Sequence, residues 1–365
     1  MFDARALRNL DWVLLLTVLA LTCIGIGFIW SSTHWEPGQA GMARQQFLWL
    51  GISLLTLIVV LAFDYARLAG LAYPVYAVTL VLLVLVLTHG AVRNHARRWL
   101  TFGGYQVQPS ELAKVAVVLA LARYLMYRRD CGRLRTLVAP FVMTLVPMGL
   151  ILLEPDLGTA LVFVPTLFVM LYVAGASARH LAGLAAAGAA CMPLLWFRMG
   201  AAQQGRVIGF LWPASDPFGT GWHLRQSLAA VASGGMTGAG FSSGSPVILN
   251  RGFAGHTDFI FATIANEWGF LGALAVLLLF FMLLSRGVEI AAASREPFGR
   301  LVVAGILTTL AFQALVNIGM TVRLCPITGI TLPFVSYGGS SLVICFIMAA
   351  LVLNVGMRRK PVLAP

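Results

Sequence analysis

The sequence predicts an all-α, polytopic membrane protein whose ten transmembrane helices form one domain over residues 1–365. Three observations predict it. Of the 365 residues, 59% are hydrophobic and only 10% charged, where ordinary soluble domains carry about a quarter charged residues. Mean hydropathy is +0.88. Apolar runs near the ~20 residues that cross a bilayer as a helix recur along the whole chain, punctuated by Gly, Pro and charge. This composition excludes a soluble globular protein, a disordered chain and a collagen-like fibre.

The first run, 12–30, follows Asp3 and Asp11 and ends in Trp30-Ser31-Ser32-Thr33-His34 without a small-residue cleavage pattern, so it is read as a retained helix. The next runs are 46–63, 72–89, 109–127, 137–153, 158–175, 180–197, 263–285, 300–322 and 336–357. Ten spans put both termini on one side. With the termini cytoplasmic, the short inner connections and ends hold 14 Lys and Arg against 5 on the outer side, the asymmetry expected of cytoplasmic loops. The large extracytoplasmic loop before the eighth span, 199–262, is left out of that count because long loops cross regardless of charge. It carries 12 of the 37 glycines, and its stretch Leu224 to Ala232 reads as a short amphipathic helix stopped by Ser233-Gly234-Gly235.

Net charge is +12, yet the basic residues are 23 Arg and two Lys scattered between apolar runs, which excludes a nucleic-acid face. Cys23, Cys131, Cys191, Cys325 and Cys345 are widely spaced, and neither a disulfide nor a metal framework is expected. The 13 acids are few enough to place individually. Asp3, Asp11, Asp64, Asp130, Glu289 and Glu296 sit on the assigned cytoplasmic side beside Arg-bearing loops, where solvated pairing explains them. Glu36, Glu111, Glu154, Asp156, Asp216, Asp258 and Glu267 gather mostly at the outer ends of spans, where ionisable groups are costly and mark functional candidates.

Glu111 and Lys114 lie three apart in Gln108-Pro109-Ser110-Glu111-Leu112-Ala113-Lys114, on one helix face. They form either a self-contained ion pair at a helix start or the floor of a polar cavity that meets an anionic substrate group. Glu154-Pro155-Asp156-Leu157-Gly158-Thr159 breaks the chain between two spans; Asp156 suits a helix cap, and Glu154 has less structural excuse. In His256-Thr257-Asp258-Phe259-Ile260-Phe261-Ala262, Asp258 either caps the eighth span or stands at the membrane surface as a base for a hydroxyl nucleophile. Glu267, nine residues on, would face the opposite side of a continuous helix, which argues against a two-carboxylate dyad. Ser336-Tyr337-Gly338-Gly339-Ser340-Ser341 offers either backbone N–H groups for phosphate or small residues for close helix packing.

Together these motifs resemble the SEDS family of bacterial membrane proteins, named for shape, elongation, division and sporulation. The matching pieces are Arg98-Trp99, Gln108 to Glu111 with Lys114, Glu154 to Thr159, Gln226-Ser227 with Ser233-Gly234-Gly235, His256 to Ala262, and Leu332 to Ser341. The short amino-terminal segment resembles the RodA-type branch more than the FtsW-type branch. The resemblance implies a peptidoglycan glycosyltransferase of the bacterial plasma membrane that polymerises lipid II into β-1,4 glycan strands for cell-wall elongation and releases undecaprenyl pyrophosphate. Its implied partners are lipid II, the undecaprenyl-linked glycan strand, a class B penicillin-binding protein and other elongation-complex membrane proteins. It assigns the essential carboxylate to Asp258. It assigns substrate contacts to Arg98, Glu111, Lys114, Glu154, Asp156, Gln226, Ser227, His256, Thr257, Ser336, Gly338, Gly339 and Ser340. No resident cofactor is implied with certainty; a divalent cation, magnesium or manganese, is the one helper left open.

The chain departs from the family pattern at Gly255, Asn266 and Ala239. As a general base Asp258 would take the proton of a GlcNAc 4-hydroxyl attacking a MurNAc anomeric carbon with inversion, helped by a pKa raised through partial burial. Arg98, Lys114 and the Ser336 to Ser341 turn would offset charge on the leaving pyrophosphate. The rival reading is a lipid II flippase with Glu111, Lys114, Arg198 and Glu267 along its pathway; a third is a non-catalytic scaffold of the wall-synthesis complex.

Overall fold

In a computed structural model of the chain, residues 9–358 are described apart from 36–37, 40, 94–95, 103–104, 129–133, 192, 194–195, 198, 213–218 and 244–252. Thirteen helices occur among the described residues. In chain order they are α1 (Trp12–Thr33), α2 (Met42–Ala62), α3 (Tyr65–His89), α4 (Pro109–Leu125), α5 (Leu134–Leu153), α6 (Leu157–Val173) and α7 (Ala178–Ala190). After them come α8 (Ala201–Leu211), α9 (Thr220–Gly234), α10 (Ile260–Glu267), α11 (Gly269–Ala293), α12 (Pro297–Thr321) and α13 (Gly339–Arg358). Seven are long and apolar enough to span a membrane: α1, α2, α3, α5, α11, α12 and α13. Exposed Phe47, Leu55, Val81, Val142 and Phe281 line α2, α3, α5 and α11, apolar faces of a size suited to lipid rather than water.

The centre of the bundle is α4, α12 and α13. On α4 only Leu112, Arg123 and Tyr124 escape full burial, and α13 packs against α2, α12 and α4. α4, 17 residues long from Pro109, carries the buried pair Glu111 and Lys114 at its start, charges that its enclosure keeps away from lipid. Several assigned cytoplasmic acids do close local contacts. Asp11 accepts from Leu14 N at 3.0 Å and lies 2.7 Å from Arg286 Nη2. Asp64 accepts from Ala66 N at 2.9 Å, Glu289 pairs with Arg286, and Glu296 accepts from the Tyr65 hydroxyl at 2.8 Å. Asp3 and Asp130 lie outside the described residues.

Two features differ from the all-α, uninterrupted-span expectation. A three-stranded antiparallel sheet is formed by β1 (Ala91–Arg93), β2 (Ala96–Phe102), which carries Arg98, and β3 (Tyr105–Val107). The run 263–285 is two helices, because Gly269 adopts φ +63° and breaks the chain between α10 and α11, a conformation that costs other residues dearly. Within the run 180–197, α7 covers 180–190, and 193 and 196 are helical as well. The large loop contains α8 and α9, and the expected amphipathic segment lies in α9, ended by Gly235 at φ +56°.

Candidate functional site

One end of the bundle is assembled from β2, the α5–α6 turn, α8, the approach to α10, and the segment before α13. Arg98, on β2, donates from Nε to the Glu154 carbonyl at 3.1 Å and from Nη2 to the Pro155 carbonyl, and its Nη1 lies 3.9 Å from Asp156 Oδ1. Asp156 caps α6, accepting from Thr159 N at 3.3 Å and Thr159 Oγ1 at 2.9 Å, and also accepts from Gln108 Nε2 at 3.1 Å. The capping and charge-pairing roles of Asp156 therefore coexist. Glu154 is fully buried with neither carboxylate oxygen hydrogen-bonded. Burial, reinforced by Asp156 and opposed by Arg98, pushes its carboxyl up to about 8.

Asp258 sits in the turn ahead of α10. The N-cap of that helix is Phe259 without a side-chain cap bond, so Asp258 does not cap it. Nor does it share a helix with Glu267, as the expectation of opposite faces on one continuous helix required: Asp258 precedes α10, which ends at Glu267. Its backbone is instead clamped from three sides. Asn317 Nδ2 on α12 donates to the Asp258 carbonyl at 2.9 Å and to the Ile330 carbonyl at 2.7 Å. Ser336 Oγ donates to the Thr257 carbonyl at 2.7 Å, and Tyr337 N donates to the His256 carbonyl at 2.9 Å. The clamp holds the carboxylate in place while its side chain stays partly open.

A cation absent from every sequence motif faces that carboxylate. Gly329, at φ +76°, leaves a gap in which a Cβ would lie 3.8 Å from Asp258 Oδ2 and 3.9 Å from Arg206 Nη1, so the two charges are less than about 8 Å apart. Arg206, on α8, donates from Nη1 to the Thr328 carbonyl at 2.9 Å. Burial pushes the Asp258 carboxyl up to about 6, with Arg206 and Arg98 pulling it down and Asp156 pushing it further up. Burial likewise draws the Arg206 guanidinium down, as does Arg98, against Asp258 and Asp156. Asp258, Asp156, Arg98 and Arg206 thus form one electrostatically coupled group, with Glu154 beside it. Burial also lowers the His256 imidazole, favouring its neutral form.

The remaining expected site residues divide. Lys114 Nζ lies 2.8 Å from Glu111 Oε2, both sealed inside the bundle. Ser227 donates to the Thr321 carbonyl at 2.9 Å and ties α9 to α12, while its neighbour Gln226 shares that helix. In the glycine turn, the Gly338 N–H is taken by Gln46 Oε1 at 3.2 Å, and Gly339 lies so close to Trp49 that any side chain would enter the ring. Close packing and clamping therefore occupy part of that turn, and Ser340 is half-buried at the start of α13. Glu267 is held by Ser31 Oγ at 2.5 Å and Ser242 N at 3.0 Å. Glu36, Arg198 and Asp216 lie outside the described residues.

Two of the atypical residues serve packing. Asn266 donates to the Ala230 carbonyl at 3.1 Å and Ser233 Oγ at 2.6 Å, and the Gly255 carbonyl accepts from Thr263 Oγ1 at 3.0 Å. Among the described residues no three His, Cys, Asp or Glu side chains come together as a metal site.

Residues 11–361 match the FtsW/RodA/SpoVE family, described as cell cycle protein. The chain belongs to this family. It is a multi-pass protein of the bacterial inner membrane. It is 36% identical over 355 residues to the peptidoglycan glycosyltransferase MrdB of Escherichia coli, covering 96% of this chain and 95% of that one. Stage V sporulation protein E of Bacillus subtilis is 35% identical over 354 residues, 94% of this chain and 96% of that one. Among solved structures, "Structural coordination of polymerization and crosslinking by a peptidoglycan synthase complex" superposes with a TM-score of 0.83 at 36% identity, over 96% of this chain and 98% of that one. Rod shape determining protein RodA of Thermus thermophilus superposes at 0.73 with 34% identity, again over 96% and 98%.

Proposed function

We propose that this family member is an inverting peptidoglycan glycosyltransferase that joins lipid II disaccharides at the outer face of the membrane, with Asp258 as general base. The observation that carries the reading is a clamped, partly open carboxylate raised to about 6 and faced by Arg206. A base works best when its pKa lies near the operating pH, which is where burial brings this one. Ionised Asp258 accepts the proton of the GlcNAc 4-hydroxyl as that oxygen attacks the MurNAc anomeric carbon. The bond to undecaprenyl pyrophosphate breaks, its electron pair leaves on the phosphate oxygen, and the configuration inverts to a β-1,4 link. Arg206 and Arg98 carry the fixed positive charge nearest the reacting group and would offset the leaving pyrophosphate. Among the described residues no group of three His, Cys, Asp or Glu side chains could hold an ion, and no step is routed through a metal.

The topology that goes with this reading has both termini cytoplasmic. Its ten spans are the seven long apolar helices, the two 17-residue helices α4 and α6, and the segment that begins with α7. Elongation is the favoured role and a class B transpeptidase the favoured partner. Support comes from the names of the RodA-type relatives and from the structural neighbour in which polymerisation and crosslinking are coordinated. A transmembrane flippase pathway gains less support, because Glu111 and Lys114 are closed on each other and Glu267 is held by Ser31 and Ser242.

The test is purified protein given lipid II, with and without a co-purified class B transpeptidase, comparing wild type with Asp258→Ala. Glycan polymer from wild type and none from the variant is the expected result. Equal polymer from both would remove Asp258 from the chemistry, and no polymer from wild type with its partner would return the scaffold or flippase.

A further inference from the structure

Near the start of α2, Gln46 is the one amide that the helix buries. A buried amide is costly unless both of its ends find partners, and Gln46 finds them on a single short stretch. Its Oε1 accepts from Gly338 N at 3.2 Å and its Nε2 donates to the Ser336 carbonyl at 3.4 Å. The two partners flank Tyr337, so the side chain grips the turn before α13 across one residue, as a neighbouring backbone would.

The same three residues face the Asp258 loop on their other side. Ser336 Oγ accepts from Leu332 N at 2.8 Å and donates to the Thr257 carbonyl at 2.7 Å, and Tyr337 N donates to the His256 carbonyl at 2.9 Å. A hydroxyl has one proton to give, and that of Ser336 goes to the backbone one residue before Asp258. The Tyr337 hydroxyl donates to Gln45 Oε1 at 2.8 Å, a second bond back to α2. Helix α2, the turn and the carboxylate-bearing loop are thus three layers joined by hydrogen bonds.

The far end of the same helix pair offers a comparison. Asn354 on α13, also fully buried, donates from Nδ2 to the Val60 and Phe63 carbonyls, each at 2.7 Å. Those carbonyls belong to the end of α2, where any helix leaves acceptors unmet, so Asn354 completes a helix end and nothing beyond it. Gln46 instead grips residues that lie outside both helices and that continue to the Asp258 loop.

We propose that Gln46 is a positioning residue for Asp258, acting through the 336–338 turn, so that α2 helps to set where the base stands relative to Arg206 and the incoming hydroxyl. The inference rests on Asp258 being the base, as proposed above. Asn317 holds Asp258 directly; Gln46 holds the segment that grips the residues just before it. Misplacement of a reacting group by about 1 Å costs up to about a hundredfold in rate, which gives a residue one layer back leverage over the chemistry without contact with substrate. Ser336 then serves the base rather than the pyrophosphate.

The test uses the full chain in nanodiscs with a class B transpeptidase and lipid II, with rates taken per folded molecule over a series of pH values. Gln46→Met, which keeps the length and removes both bonds, should lower kcat by about tenfold to hundredfold with KM unchanged. Burial is the largest influence on the Asp258 carboxyl, ahead of Arg206, Asp156 and Arg98, so a loosened loop that admits water should move the acid limb of the rate to lower pH. Ser336→Ala cuts the next link and should show the same split and the same displacement. Because both act on one path, the double variant should lose no more than about threefold beyond the worse single one. Asn354→Leu, which cuts the tie at the far end, should lower the thermal midpoint and leave the acid limb in place. Should Gln46→Met not fold, Ser336→Ala carries the test. An acid limb that stays put in both, or one that moves equally in Asn354→Leu, overturns the inference and makes Gln46 framework. A raised KM in Ser336→Ala with an unmoved limb overturns it too, by making that hydroxyl a substrate ligand. Wild-type turnover by Asp258→Asn would remove the base itself and the proposed mechanism with it, whereas an inactive Asp258→Asn beside a Gln46→Met of wild-type rate removes the positioning role alone.

Discussion

Asp258 and Glu267 are carboxylates nine residues apart at the same end of the molecule, and the structure treats them in opposite ways. Glu267 ends α10 with one oxygen on the Ser31 hydroxyl and the other on the Ser242 N–H, stapling the loop after α9 to the end of α1. Asp258 has its backbone held by Asn317, and the residues before it held by Ser336 and Tyr337, while its carboxylate faces Arg206 across the gap at Gly329. A carboxylate whose oxygens are both engaged by short donors is part of the framework. One whose backbone is fixed while its side chain is left to a distant cation is arranged to exchange a proton.

The sharpest way to break this contrast is Asp258→Asn, which keeps shape and removes basicity. Polymerisation rate should fall by about 10²–10⁴-fold, and the thermal midpoint should barely move; a substantial residual rate in lipid II turnover would end the contrast. Arg206→Gln comes next, with a loss of about tenfold to hundredfold. It also carries a pH signature. Asp258 acts ionised, so activity should climb as pH rises through about 6 and disappear below it. Because Arg206 pulls that carboxyl down, its removal should shift the acid limb to higher pH, and an unshifted limb would mean that the two charges are not coupled.

Glu154→Gln is the gentler probe. With its carboxyl pushed up to about 8, Glu154 is protonated at neutral pH and becomes an anion above about 8, where it competes with Asp156 for Arg98. Wild-type rate should decline above that pH, and the variant should lose the alkaline decline while changing little near pH 7. Smallest on rate is Glu267→Ala. Stranding the Ser31 hydroxyl and the Ser242 N–H should cost about 1–3 kcal/mol of stability, with the rate per folded molecule within a few-fold of wild type. A rate collapse as deep as that of Asp258→Asn would put Glu267 in the chemistry as well.

The membrane class, the positions of most long apolar helices and the α9 helix are legible in the sequence, because hydropathy, helix period and helix-breaking residues are local signals. Asp258, Arg98, Asp156 and Glu154 were each marked by a motif, and the structure brings them into one coupled group. Arg206 was not legible: in Ala201 to Leu211 it is a lone cation in a long loop, and only the fold carries α8 over Gly329. Asn317 escaped for a similar reason, being one polar residue inside an apolar span whose two carbonyl partners come from other segments. Asp258 and Glu267 would share helix geometry only on one helix over both, and sequence periodicity does not reveal that α10 begins at Ile260, after Asp258. Glu111 and Lys114 were rightly paired by spacing, but their burial at the bundle centre follows from α4 being surrounded by α3, α6, α12 and α13.

The central claim is that Asp258 is chemistry and Glu267 is framework. The direct measurement is single-turnover polymerisation of lipid II by Asp258→Asn and Glu267→Ala, reconstituted in the same nanodiscs and normalised to folded protein. The predicted result is a loss of at least about a hundredfold for the first and near-wild-type turnover for the second; comparable losses, or a larger one for Glu267→Ala, would contradict it.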